Sequence, residues 1–257
     1  MLDQWFRLMR PCGSNASPRE QEFYEEYARR FEDRPLERLR IALALVPRTA
    51  AKLLDVGCAH GFTLSRVREI LPDAELHGID VHASVEDELG RLGFIGESCD
   101  ASREIRYPRD TFDAVICTEV LEHVVDTDNL LAEIYRVLKP GGSLILSTPN
   151  LAYAVNRLLL LCGVQPLYTE TSLKANMGRR FRFLGQLRAP QGHLRIFTLG
   201  SVLDILAATG FAITTTRGYP FMEHGLPGVV DWLLALRPSL AAGLVLSATA
   251  VKEWEAA

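Results

Sequence analysis

Residues 52–61 read Lys-Leu-Leu-Asp-Val-Gly-Cys-Ala-His-Gly, and this stretch decides the fold. A short apolar run ending in an acid, then two glycines four positions apart, is the pattern of a strand that turns sharply into a helix. Gly57 permits the turn or a close backbone approach, and Gly61 lets the next helix, over about 62–70, start tight against the sheet. Outward from there the alternation repeats. Residues 76–79 predict a second strand ending at Asp80, and a helical stretch covers about 84–92. A third short strand over 93–98 ends at Cys99-Asp100, and Phe112-Asp-Ala-Val-Ile-Cys117 is a fourth. A helix over 129–138 is ended by Lys139-Pro-Gly-Gly142, and Ser143-Leu-Ile-Leu-Ser147 is a fifth strand. Strands alternating with helices at this spacing mean βαβ units, a parallel sheet with helices on both faces, and right-handed crossovers.

The flanks are less regular. Residues 1–50 look helical, with Phe23, Tyr24, Tyr27 and Phe31, then Leu36, Leu39, Leu43 and Val46, at helical spacing. Regularity stops at Pro149, and residues 150–192 read as irregular and basic. The pattern resumes at Phe197 with a helix over about 199–208, a Gly210 cap, a strand over 211–216 and a last strand over 244–251. The expectation is one domain over 1–257: a helical cap (1–50), a ligand-binding core (51–149), a lid insertion (150–192) and the rest of the sheet (193–257).

Composition excludes several classes. The chain has 257 residues, 48% hydrophobic and 23% charged, with a net charge of −4, which gives no global drive toward nucleic acid or an anionic membrane. Five widely spaced cysteines without a CxxC pair argue against a disulfide framework and for a reducing, cytoplasmic setting. No signal-peptide pattern opens the chain, and the apolar run over 158–164 is far short of the roughly 20 residues a membrane span needs. The apolar C-terminal region, broken by Asp231, Arg237 and Pro238, reads as two buried elements joined by a loop, and its surface also fits a homodimer contact.

Ligands of open α/β sheets bind outside the carboxyl ends of the strands. The first strand delivers Asp55, Gly57 and Gly61 there. The second delivers Asp80, 25 residues after Asp55, an acid suited to ribose hydroxyls. The third delivers Asp100, placed for an adenine amino group. The loop is D-x-G-x-x-x-G and lacks the middle glycine of a dinucleotide fingerprint, which disfavours an NAD-dependent oxidoreductase. Its acid suits a ligand with a positive amino group better than a diphosphate.

These residues carry a resemblance. Leu-Leu-Asp-Val-Gly-Cys-Ala-His-Gly61 resembles motif I of class I S-adenosylmethionine-dependent methyltransferases, and Gly78-Ile-Asp80 resembles their ribose-binding acid. Phe112 to Cys117 resembles their fourth strand, and Leu131-Ala-Glu-Ile-Tyr-Arg-Val-Leu-Lys-Pro-Gly-Gly142 their helix and turn before the fifth. The resemblance implies a Rossmann-like, doubly wound, seven-stranded sheet with a reversed C-terminal hairpin. It implies S-adenosylmethionine as donor, held by Asp55, Gly57, Cys58, His60, Gly61, Asp80, Val81, Asp100, Ala101 and Thr118.

After the fourth strand the chain reads Thr118-Glu119-Val-Leu-Glu122-His123. On a helical turn Glu119, Glu122 and His123 share a face at the expected position of the reacting methyl group. His193, in Gly-His-Leu-Arg-Ile-Phe-Thr198, is a fourth candidate. This E-x-x-E-H pattern with a distant histidine resembles the ubiquinone-pathway O-methyltransferases and the small-RNA 3′-terminal 2′-O-methyltransferases. That resemblance implies a divalent metal, Mg²⁺ or Mn²⁺, on Glu119, Glu122, His123 and His193. The plainer reading, that the motif packs or orders the turn, stands beside it, with His193 or His123 as general base. His77, His82 and His224 read as bystanders.

Residues 171–203 contain no acid but carry Lys174, Arg179, Arg180, Arg182, Arg188 and Arg195, with Tyr168, Phe181 and Phe183 interleaved. A basic segment in an acidic chain suggests an anionic acceptor. The leading expectation is therefore O-methylation of a small molecule: a sugar, a phenol or another natural-product intermediate. An RNA-terminal 2′-O-methyltransferase is the alternative, and a non-catalytic regulatory protein on the same fold is a third.

Overall fold

The computed structural model describes residues 37–172, 177–178, 191–222 and 224–252. Seven strands form one sheet in the order β3-β2-β1-β4-β5-β7-β6. They are β1 (Lys52–Val56), β2 (Glu75–Asp80), β3 (Ile95–Ser98), β4 (Phe112–Thr118), β5 (Leu138–Pro149), β6 (Phe211–Tyr219) and β7 (Gly243–Ala250). The first five strands are parallel, and β7 runs antiparallel to both β5 and β6. This is the expected doubly wound sheet with its last hairpin reversed. The described helices are α1 (Glu37–Ala44), α2 (Phe62–Ile70), α3 (Val85–Arg91), α4 (Thr127–Val137), α5 (Ala154–Leu161), α6 (Leu199–Thr209) and α7 (Gly225–Ala235).

Strand side chains alternate between the two faces, and both faces are covered. Along β4, Ala114 and Ile116 pack with Leu53, Leu64 and Val67 on one side. Val115 and Cys117 pack with Leu54, Leu130 and Ile134 on the other. That double burial is why the central strands read as unbroken apolar runs. The helix ends follow local chemistry. Asp126 caps α4 by accepting from the Asn129 N–H at 2.9 Å. Thr198 and Ser201 cap α6 reciprocally, and Gly210 closes it with φ 101°.

Three expectations need correction. First, β5 begins at Leu138, pairing with Phe112, so the Lys139-Pro-Gly-Gly142 segment belongs to the strand's irregular start. Second, residues 150–172 are not irregular throughout, since they contain helix α5. Helix α5 follows Tyr153 and is anchored by buried Asn156, whose amide donates to the carbonyls of Leu151 and Leu167 at 3.2 and 3.3 Å and accepts from the Leu167 N–H at 2.8 Å. Periodicity is silent here because the anchor is a polar contact to a distant loop. Third, the C-terminal apolar region is one buried strand, β7, and one half-exposed helix, α7. Leu226, Val229, Trp232 and Leu233 of α7 are exposed. Asp231, read as an interruption, points inward and is fully buried. It accepts from the Tyr153 hydroxyl at 2.8 Å and from the Phe221 and Met222 N–H groups at 2.7 and 2.8 Å.

The expected cap residues Phe23, Tyr24, Tyr27, Phe31 and Leu36 lie outside the described residues, as do Lys174, Arg179, Arg180, Phe181, Arg182, Phe183 and Arg188. Among the described residues, no helix is long and apolar enough to cross a membrane.

Asp231 ties α7 to the insertion and to the chain after β6. Removing it leaves the buried Tyr153 hydroxyl and two part-buried N–H groups without an acceptor, at up to about 1–3 kcal/mol for a buried donor. Asp231→Ala is expected to lower the stability of the protein by about 3 kcal/mol or more, measured by urea unfolding. An Asp231→Asn variant retains one acceptor oxygen and is expected to lose less.

Candidate active site

The turn after β1 is built by conformation. Gly57, Ala59 and Gly61 all have positive φ, at 74°, 45° and 79°. A Cβ on Gly57 would stand 2.4 Å from the Val120 side chain, and one on Gly61 would stand 2.6 Å from Leu89. The loop is stitched to the end of β2. Gly57 and Cys58 N–H both donate to the Ile79 carbonyl, at 2.8 and 3.1 Å. Asp80 accepts from the Ala59 N–H at 2.9 Å and from the Val81 N–H at 2.7 Å. Val81 itself is exposed, an apolar side chain facing solvent beside the acid.

Asp55 is 1% exposed, and its Oδ2 has no hydrogen-bond partner among the described residues. Burial, then the nearby Asp80 charge, hold its carboxyl well above the usual carboxylate range. A buried acceptor left bare beside a loop cleared by glycines fits a ligand that brings a positive amino group. Cys58 is buried, and burial pushes its thiol up. Thr118 and Ala101 lie half-buried at neighbouring strand ends. Asp100 is exposed and partly engaged: it accepts from the Ser102 N–H and hydroxyl at 3.0 and 2.7 Å and pairs with Arg103 at 3.2 Å.

At the end of β4 the structure brings together three of the four expected acceptor-side residues. Leu121–His123 forms a single 3-10 turn. Glu122, His123 and His193 each place one ligand atom within 4.8 Å of the others. The His123 and His193 rings are 4.9 Å apart. His123 Nδ1 lies 3.2 Å from the Gly192 carbonyl, and His193 Nδ1 lies 2.8 Å from the Tyr168 carbonyl. A carbonyl only accepts, so Nδ1 carries the proton, and in the neutral form of either ring Nε2 is the atom with the lone pair. Glu122 is fully buried, with one oxygen bonded to Thr148 at 3.0 Å and Oε1 unpartnered among the described residues. Burial, and next Glu119, push its carboxyl well above its ordinary value. Burial, and next His193, lower the His123 pKa, so that ring is neutral at pH 7. Two lone pairs and a bare carboxylate oxygen fit a divalent cation.

Glu119 is placed elsewhere. Its backbone adopts φ 57°, off a helical turn. Its carboxylate accepts from Ser147 at 2.8 Å and Tyr219 at 3.0 Å and pairs with Arg38 at 3.4 Å. The i, i+3, i+4 face assumed a regular helix, and the left-handed residue breaks it. Tyr168, beside His193, also has positive φ, at 69°. Strained non-glycine residues around one site are a mark of function. The Tyr168 ring lies 6.2 Å from His193 and 5.9 Å from Phe221, forming an aromatic wall that spacing alone does not reveal.

The remaining histidines divide. His77 is buried between Tyr107 and Glu75, and His224 only precedes α7. His60 is 2.5 Å from Glu88, and His82 is 3.0 Å from Asp80.

A family model described as a methyltransferase domain matches residues 24–216, about three quarters of the chain. The chain belongs to the class I S-adenosylmethionine-dependent methyltransferase family. This methyltransferase is 29% identical over 218 residues to a trans-aconitate 2-methyltransferase of Methylobacterium radiotolerans, covering 82% of this chain and 78% of that protein. It is 31% identical over 141 residues to the mitochondrial ubiquinone biosynthesis O-methyltransferase of Bos taurus, covering 49% of this chain. The match spans only 37% of the bovine protein, and 49% of a Xanthomonas oryzae relative of the same description. Among solved structures, a Burkholderia thailandensis 1,6-didemethyltoxoflavin-N1-methyltransferase with bound S-adenosylhomocysteine has the same fold. Its TM-score is 0.54 at 17% identity, covering 95% of this chain and 94% of that one.

Asp55 offers a test with two readouts. A carboxyl whose pKa is raised on folding favours the folded state below its ordinary value of 3.8 and loses that contribution as pH rises. Asp55→Asn is therefore expected to gain stability relative to the unsubstituted protein as pH is raised from about 4 to 8. The same variant is expected to bind S-adenosylhomocysteine at least about tenfold more weakly in calorimetry, the loss of one charge-assisted contact.

Proposed function

We propose that this methyltransferase transfers a methyl group from S-adenosylmethionine to a hydroxyl oxygen of a small aromatic acceptor, with help from a divalent cation. The observation that carries the reading is the arrangement at the end of β4. Two imidazoles with free Nε2 lone pairs face an unpartnered buried oxygen of Glu122. Glu122 and His123 follow the end of β4, the strand beside β1, whose own end carries Asp55.

The roles divide by strand. Asp55 receives the donor's amino group, and Asp80 its ribose hydroxyls. Gly57 and Gly61 let the backbone approach, and Val81, Ala101 and Thr118 line the remaining wall, with Asp100 at the adenine end and Cys58 and His60 in the loop. The donor supplies a methyl group already activated on sulfur. The acceptor oxygen loses its proton to solvent and forms the new bond as the methyl–sulfur bond breaks, and sulfur keeps that electron pair. Glu122, His123 and His193 would hold Mg²⁺ or Mn²⁺, whose charge makes the acceptor hydroxyl easier to deprotonate. Two imidazoles in the set favour Mn²⁺ of the two. Glu119 braces the site through Ser147, Tyr219 and Arg38 rather than joining the cation. Tyr168 and Phe221 supply apolar surface on which an aromatic acceptor stacks. An anionic acceptor is consistent with the basic composition of residues 171–203. Ubiquinone-pathway relatives described as O-methyltransferases support oxygen as the receiving atom.

Titration of S-adenosylhomocysteine into the protein tests the donor half. Micromolar binding is expected, weakened about ten- to a hundredfold in Asp80→Ala, which loses hydrogen bonds to a charged acceptor. Unchanged affinity in that variant would remove Asp80 from the site. Titration of Mn²⁺ tests the acceptor half. Binding heat that disappears with chelator and in His193→Asn is expected. Methyl transfer insensitive to chelator yet lost in His193→Asn would replace the cation by a histidine base.

A further inference from the structure

A second cluster of side chains lies beneath the donor loop, and methyl transfer makes no joint use of it. His60 stands in the loop between Gly57 and Gly61, His82 follows β2, and Glu88 projects from α3. Their side chains are 9%, 10% and 13% exposed, so all three sit within the fold rather than on its surface. Glu88 Oε2 is 2.5 Å from His60 Nδ1 and 3.9 Å from His82 Nε2. One ligand atom from each of the three lies within 4.8 Å of the others. The Ser84 hydroxyl donates to the other Glu88 oxygen at 2.7 Å and fixes which oxygen faces the histidines. His82 Nε2 is buried and has no hydrogen-bond partner among the described residues.

We propose that His60, His82 and Glu88 bind a divalent transition metal of the Zn²⁺ class. Imidazole nitrogen with a single carboxylate is a donor set for Zn²⁺, Ni²⁺ or Cu²⁺ rather than for Mg²⁺. Three protein ligands leave one position of a tetrahedral ion open. Bonds of about 2.1 Å put the ligand atoms of such an ion roughly 3.4 Å apart, so the cluster needs side-chain adjustments of about 1 Å or less. An outer-shell carboxylate stands nearby: His82 Nδ1 lies 3.0 Å from Asp80 Oδ1 without a hydrogen bond between them, and a turn of the ring that aims Nδ1–H at Asp80 would leave Nε2 for the metal. Asp80 also anchors the loop through the Ala59 N–H. An ion here would clamp the donor loop to α3 and act on the donor through Asp80. Linkage then requires donor and metal to alter each other's affinity by the same factor.

The test uses the full chain carrying His123→Asn and His193→Asn, which silence the cluster at the end of β4. Zn²⁺ is titrated in competition with a chromogenic chelator. One tightly held Zn²⁺ per chain is expected, with affinity falling at least tenfold when His82→Asn or Glu88→Gln is added. Thermal melting followed by circular dichroism identifies variants that remain folded, and Glu88→Gln, which keeps the side chain's shape, is the arm least exposed to misfolding. Co²⁺ is the second probe: visible bands of a low-coordinate ion are expected and should weaken in His82→Asn. Zn²⁺ affinity unchanged by either substitution, or no stoichiometric Zn²⁺ in the parent double variant, would overturn the proposal.

Discussion

A carboxylate buried at the end of β1 without a full set of partners is the constraint around which the donor end of this molecule is arranged. Burying Asp55 costs free energy in the ligand-free protein, because neither charge nor hydrogen bond compensates one of its oxygens. The surrounding fold holds the cost in place. Leu53, Leu54 and Val56 are locked into the two-sided core, so the strand cannot shift to release the acid. The loop that follows has no freedom to swing over it either. Gly57 and Gly61 abut Val120 and Leu89, and the backbone is bonded to the end of β2. What results is a buried acceptor held in place, the feature on which the proposed donor role of Asp55 rests.

The same logic recurs at the end of β4, with different chemistry. There the buried acid is Glu122, and its unpartnered oxygen faces imidazoles whose protons are assigned by backbone carbonyls. Gly192 and Tyr168 contribute those carbonyls from segments far along the chain, so the tautomers are set by tertiary contacts. Glu119, which motif spacing grouped with Glu122, serves a separate network through Ser147, Tyr219 and Arg38. That network ties β4, β5, β6 and α1 together around the site. The left-handed backbone at Glu119 accompanies this division of partners, while Glu119 stays near enough to raise the Glu122 pKa. His60, His82 and Glu88 form a third polar cluster, and it shares Asp80 with the donor loop.

Legibility followed the range of the forces involved. The turn after β1, Asp80 at the end of β2, Asp100 following β3, and the Gly210 end of α6 were readable because each is encoded within a few neighbouring residues. The reversed β6–β7 hairpin was readable only through the resemblance. Helix α5 escaped notice because its anchor, Asn156, bonds to Leu167 rather than to its own turn. Asp231 was misread as an interruption because its partners, Tyr153 and the adjacent Phe221 and Met222, come from two other segments of the chain. His82 and Glu88 gave no motif at all, since only the packing of α3 against the end of β2 makes them neighbours.

By itself the sequence determined the alternation of strands and helices through the fifth strand, the glycine-shaped turn after the first strand, and the family to which the chain belongs. These rest on local steric demands and on apolar periodicity, which survive without knowledge of the fold. Only the tertiary structure decided which polar groups share a site. It drew His193 to His123 across 70 residues, parted Glu119 from Glu122, and left Asp55 and Glu122 each with a bare oxygen. Whether a buried polar atom finds a partner depends on groups brought from elsewhere in the chain, and no local pattern records that.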